Sequence, residues 1–311
     1  MSGFQALALG LRVTRRSLGL VVAAWGADLL VAAAVAVPLV AALDRVLGGQ
    51  GDGGAIGAVP DGRLLAAFVA RYGGPDGATM GRLLAATLAA VLVHAVVSGG
   101  LLSVLGRGAP AEGRAGRWRR FLAGCAAHAG RMVTISVVIL TLLAATGWLL
   151  DGVLADALEA PLRDVGREPT RLLLRLLPGV VAVVAIMLGS LVADVWRAAV
   201  VVGGVRLGPG LRLCGRVLRQ RPGGFVVVGA GGLALMLAGL AGFTLLDGLL
   251  PQGRWPGILL ALALGQALML WRHGVRVGVI AAEARLVGAA LEEAAGGQAR
   301  AAGPVGDASP P

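Results

Sequence analysis

Lysine is missing from this chain: all 28 basic residues are arginine. There are also only two cysteines, three histidines and one tyrosine, and charged residues make up 14% of the whole. Each shortage excludes something. Without lysine there can be no Walker-type phosphate loop, so a self-contained ATPase is ruled out. Cys125 and Cys214 cannot staple a disulfide scaffold, and both fall in arginine-rich segments expected on the reducing side of a membrane. Charge this sparse, against roughly 25% in a soluble domain, cannot clothe a globule of this size in polar surface. An ordinary cytosolic enzyme and a disordered chain are therefore excluded as well.

What fills the space is apolar. Hydrophobic types reach 57% of 311 residues and the mean hydropathy is +0.82, values that make lipid the solvent. The net charge of +11 invites a nucleic-acid reading. That reading fails, because the arginines cluster beside apolar runs, as membrane insertion demands, and no nucleic-acid-binding motif accompanies them. Nucleic acid is thus not an expected partner; anionic membrane lipids are, together with a membrane-protein partner.

A transmembrane helix needs about 20 mostly apolar residues. Six segments qualify, at about 17–43, 83–106, 132–152, 176–200, 223–246 and 257–281. Arg12, Arg15 and Arg16 precede the first, whose apolar run is too long for a cleaved signal peptide and reads as a signal anchor. The connecting segments alternate in charge. Six arginines against Glu112 follow the second run, and five with no acid follow the fourth, whereas Asp151 to Arg175 holds five acids against four arginines. The positive-inside rule then places both termini in the cytoplasm of a bacterial inner membrane. Trp118, Trp148, Trp196 and Trp255 fall near the expected interfaces.

The fold class expected is all-α: a polytopic membrane protein whose six transmembrane helices form three hairpins, each with a short basic interfacial helix. The segments Phe4 to Trp25, Phe121 to Leu142 and Leu211 to Leu233 share that arginine-then-apolar pattern. Residues 1–286 make the transmembrane domain, and 287–311, rich in Ala, Gly, Pro and acid, read as a disordered cytoplasmic tail. Leu64, Leu65, Phe68 and Val69 suggest a short helix on the outer surface.

Ionisable residues inside hydrocarbon mark candidate sites by default. Asp28 lies twelve residues beyond Arg16 and His94 twelve beyond Arg82, about 18 Å in each case, which is near mid-membrane. Stripes of small residues, Ala24, Ala32 and Ala36 beside Asp28 and Ala86, Ala90 and Ser98 beside His94, turn both toward protein. Asp28, His94, Ser98 and the deep Gln266 form the candidate intramembrane polar site. It serves either proton-coupled transport or, with Asp protonated and His neutral, simple interhelical hydrogen bonding. Asp194 and Arg197, at i, i+3, with Arg272 form a candidate inner-face ion pair; Arg272 and Arg276 can also snorkel inward. Candidate anionic-lipid contacts are Arg15, Arg16, Arg119, Arg120, Arg212, Arg216 and Arg219. No catalytic, metal or cofactor set emerges: Cys125 with His128 lacks a third ligand, and Ser98 with His94 lacks the usual nucleophile motif.

Asp194-Val195-Trp196-Arg197 running on to Arg206, the arginine-rich stretch ending Arg221-Pro222, the Gln266 to Arg276 stretch and the polar residue after Trp25 carry a resemblance. The chain resembles uncharacterised six-helix bacterial membrane proteins related to the membrane domain that accompanies some glycerophosphodiester phosphodiesterases. That resemblance implies a membrane architecture without an established mechanism. There is no room for a soluble catalytic barrel, so phosphodiesterase activity is not implied. The expected function is non-enzymatic: lipid or partner binding in envelope assembly or a transport complex, the alternative being a small proton-coupled transporter built on Asp28 and His94.

Overall fold

The computed structural model describes residues 1–47, 77–106, 113–154, 157, 168–250 and 255–301, and these are helical almost throughout. In chain order the helices are α1 (Gly3–Arg16), α2 (Leu18–Leu47), α3 (Gly77–Leu105), α4 (Arg114–Trp148), α5 (Glu168–Val202), α6 (Leu207–Gln220), α7 (Pro222–Asp247) and α8 (Trp255–Ala301). A π-helical turn, Leu149–Leu154, continues α4. Among the described residues there is no strand. Five helices are long and apolar enough to cross a membrane; α1 and α2 add a sixth if that bent pair counts as one span. The surface helix expected around Leu64 to Val69 lies outside the described residues.

The chain divides into two units, 1–22 with 95–311, and 23–94. The smaller unit holds most of α2 and the first part of α3, with Asp28 and His94 both half-buried.

In the larger unit the core gathers at the arginine-rich helix ends. Ala6 and Leu7 of α1, Phe225 and Val228 of α7, and Val275 to Ala290 of α8 bury their side chains there, with Ala193 to Val201 of α5. The other ends of α5, α7 and α8 carry Val180, Leu188, Leu245, Leu259 and Leu262 exposed, as lipid-facing residues should be.

Two of the three basic segments form separate amphipathic helices. α1 starts on a capping box, in which the Ser2 hydroxyl accepts from the Gln5 N–H and the Gln5 side chain accepts from the Ser2 N–H. It does not merely lie on lipid. Its small-residue face, Gly3, Ala6, Gly10 and Thr14, is buried against α7 and α8, so close that a Cβ on Gly10 would collide with the Gly278 carbonyl. α6 buries Gly210, Cys214 and Val217 and turns its arginines outward. The third segment differs from expectation: Arg114–Trp148 is one unbroken helix, because no proline, glycine pair or cap interrupts it between Arg120 and Met132.

The tail expectation also needs correction. The final helix continues to Ala301, and Leu286, Val287 and Ala290 are buried, so residues 287–301 extend α8. The alanines and glutamates that lower hydropathy there are strong helix formers, and apolar positions spaced along one face find a core to bury against.

The turn from α5 to α6 is built around Gly204, whose φ of +64° is a left-handed conformation that glycine adopts without strain. Trp196 Nε1 donates to the Leu207 carbonyl at 3.0 Å and fixes that turn from below. Trp196 is 6% exposed, so it packs within the protein, whereas Trp148 and Trp255 stay exposed as interfacial belt residues do.

Candidate functional site

The charged residues of the larger unit sort into two arrangements. The first is buried. Asp194 on α5 accepts from Arg197 Nη1 at 3.0 Å on Oδ1 and meets Arg276 Nη2 of α8 at 2.7 Å on Oδ2. Arg197 Nη2 donates to the Ser136 hydroxyl at 2.8 Å, and that hydroxyl donates to the Met132 carbonyl at 2.9 Å, so α4 joins the network. Glu283, seven residues after Arg276, is 3% exposed. Two helical turns separate the pair, which puts them on one stripe of α8. Two arginines and two carboxyls in one buried region balance formally. Satisfaction is incomplete, however: Arg197 Nε and Glu283 Oε2 have no hydrogen-bond partner among the described residues.

The third member expected for this ion pair was Arg272; the structure supplies Arg276 instead. Arg272 is exposed. The two arginines are one turn apart, and a 400° step leaves them about 40° apart around the axis, enough to put one on the protein face and the other outside. Arg276 lies twenty-one residues beyond Trp255, about 32 Å along the helix and so near the far edge of a hydrocarbon core about 30 Å thick. At that level a charge cluster is tolerable; at mid-membrane it would cost far more.

The second arrangement is open. Where α1 ends and the chain bends sharply into α2, Arg15, Arg16 and Ser17 face Arg117 and Trp118 of α4 across a cavity of about 300 Å³. Arg117 Nη1 donates to the Arg16 carbonyl at 2.8 Å, capping the last turn of α1 with a cation as its dipole favours. On α6, Arg212, Arg216 and Arg219 are exposed at i, i+4 and i+7 and form one basic face. Arg119 is exposed and Arg120 half-buried.

Of the intramembrane set, Ser98 is buried in the larger unit, Gln266 is half-buried on α8, and Asp28 and His94 share the smaller unit. Glu283 was not singled out from sequence. The signal available was an acid seven residues from an arginine on a helix face otherwise made of Ala and Val, a pattern that requires burial to be meaningful.

Cys214, on the buried face of α6, has its Sγ 3.7 Å from the Val192 carbonyl of α5, and burial pushes its thiol up to about 11. Among the described residues no group of three or more His, Cys, Asp or Glu side chains is placed to hold a metal ion. Comparison with known proteins returns no matching family model, no matching curated protein and no matching solved structure.

Proposed function

We propose that the chain is a non-enzymatic multi-pass protein of the bacterial inner membrane, with six spans in three hairpins and both termini in the cytoplasm. Its basic faces engage anionic lipid headgroups, and through them or a membrane-protein partner it serves envelope assembly or a transport complex. One observation carries this reading, namely how the arginines are divided. Arg197 and Arg276 are turned inward and both pair with Asp194, while Arg15, Arg16, Arg119, Arg212, Arg216 and Arg219 stand exposed. Cations presented this way at the end of an apolar helix meet headgroups, and each is worth about 1 kcal/mol beside an anionic surface.

The test uses the full chain in nanodiscs of mixed phosphatidylglycerol and phosphatidylcholine. The α6 variant Arg212→Gln, Arg216→Gln, Arg219→Gln should lose most of the phosphatidylglycerol enrichment around the protein, since about 3 kcal/mol is at stake across three arginines. Enrichment that stayed at the parent level would remove the basis of the proposal.

A further inference from the structure

We infer that the cavity at the α1–α2 bend is a discrete site for the phosphate of one anionic glycerophospholipid. The inference rests on the lipid reading above and deepens it at Arg15 and Arg16, adding Arg117 and Ser17, which that reading does not use. Three guanidiniums converge on the cavity from positions a hundred residues apart: Arg15 and Arg16 from α1 and Arg117 from α4. None of the three pairs with a carboxylate among the described residues. Arg117 spends one donor on the Arg16 carbonyl, and a guanidinium has five.

A second feature points to a ligand independently of the arginines. Ser17 lines the cavity and is only 7% exposed, yet its hydroxyl makes no hydrogen bond among the described residues. With no protein partner, that hydroxyl on the cavity wall can donate to an oxygen acceptor held there. α2 opens at the next residue, Leu18, and Gly19 also lines the cavity; the Leu20 N–H already donates to the Ser17 carbonyl at 2.8 Å, so only the N–H groups of Leu18 and Gly19 precede the helix's own ladder. Guanidiniums, a hydroxyl and a helix N-terminus supply donors from several directions, and a phosphate with two free oxygens can accept them together.

The surroundings choose the lipid over free phosphate. The cavity holds a headgroup, and apolar surface leads away from it: Leu18 and Val22 on α2 and Leu122 on α4 are 61%, 51% and 61% exposed. Leu18 and Val22 are one turn apart, as are Trp118 and Leu122, so each pair continues one helix face from the cavity outward. Acyl chains can follow those faces. Inorganic phosphate would have no use for them.

Native mass spectrometry of the full chain, titrated with phosphatidylglycerol at limiting lipid, tests the site. One lipid should be retained by the parent, and Arg15→Gln with Arg16→Gln should bind it about tenfold or more weakly. Ser17→Ala, the change least able to disturb folding, should weaken it a few-fold while helicity by circular dichroism and melting temperature stay at parent values. The α6 variant Arg212→Gln, Arg216→Gln, Arg219→Gln should keep the single tight lipid even where it loses bulk enrichment, so failure of this site and failure of the wider reading are separable. Unchanged affinity in both cavity variants would overturn the inference. Complete displacement of the lipid by excess inorganic phosphate would also overturn it, reassigning the site to the free anion.

Discussion

Asp194 of α5 and Arg276 of α8, eighty-two residues apart, meet at 2.7 Å, and the same carboxylate also holds Arg197 at 3.0 Å. One aspartate, itself 6% exposed, therefore pairs with two arginines at once. Removing it leaves Arg197 buried, and Arg276 half-buried, without their shared partner. Asp194→Ala should lower stability by about 3–5 kcal/mol, read as a large fall in melting temperature in detergent. Replacing the set together, with Asp194→Leu, Arg197→Met, Arg276→Met and Glu283→Gln, should recover most of that loss, because an apolar cluster of similar volume carries no desolvation cost. If the single and combined variants were equally unstable, the network would be serving packing more than charge.

The contacts of α1 with α7 and α8 depend on missing side chains. A Cβ on Gly10 would run into the Gly278 carbonyl, and one on Gly3 would come within 2.7 Å of the Gly224 carbonyl. Backbone oxygen cannot swing aside as a flexible side chain does. Gly10→Val should therefore cost about 1–3 kcal/mol and release α1 from its groove, seen as increased hydrogen exchange over residues 3–16. Gly26→Ala, where a Cβ meets nothing within 4 Å, is the matched control and should be neutral or slightly stabilising. Equal protection of α1 in both variants would mean that the groove can open.

How far this was readable in the sequence follows from what hydropathy and charge can see. The apolar runs at 176–200 and 223–246 fall within helices α5 and α7, and 83–106 overruns α3 by a single residue, because a long apolar run has few alternatives to a helix. Asp194 with Arg197 was legible as an i, i+3 pair. Arg276 in place of Arg272 was not, since the choice depends on rotation about α8, which neighbouring helices set. Glu283 and the helical 287–301 stretch were hidden for a related reason. Their alanines and acids look like solvated tail by composition, and only burial against α1, α5 and α7 distinguishes such a segment from one. The α1–α2 cavity is assembled from Arg16 and Arg117, and nothing local to either predicts the other.

Orientation calls for a reporter other than the native cysteines. Cys214 is 1% exposed and its thiol is raised to about 11, so a maleimide at pH 8 should leave it unmodified whichever side it faces. The folded thiol titrates higher than an unfolded one near 9, so its contribution to stability is full below pH 9 and lost as pH rises toward 11. Cysteines introduced at Ala115 and Gly208, both exposed, serve better. With the arginine-rich ends in the cytoplasm, an impermeant thiol reagent should miss both in intact cells and label both after permeabilisation. Labelling of either in intact cells would reverse the proposed orientation.

The alternative function, proton-coupled transport, stands or falls with Asp28 and His94. Both lie in the unit formed by residues 23–94, and both are half-buried. A transport role requires the two to face one another at mid-membrane. Cysteines placed at the two positions should then crosslink in correctly inserted protein. Asp28→Asn and His94→Gln should both insert and fold, because an amide replaces either group as a hydrogen-bond partner. Asp28→Leu, which removes the partner altogether, should be the more damaging change at that site. A transporter would lose its pH dependence in the two amide variants while keeping its fold. A structural pair would show parent behaviour in Asp28→Asn and a defect only in Asp28→Leu. Absence of the crosslink would separate the two residues, return each to a local hydrogen-bonding role, and leave the basic faces as the part of the molecule on which a function can be built.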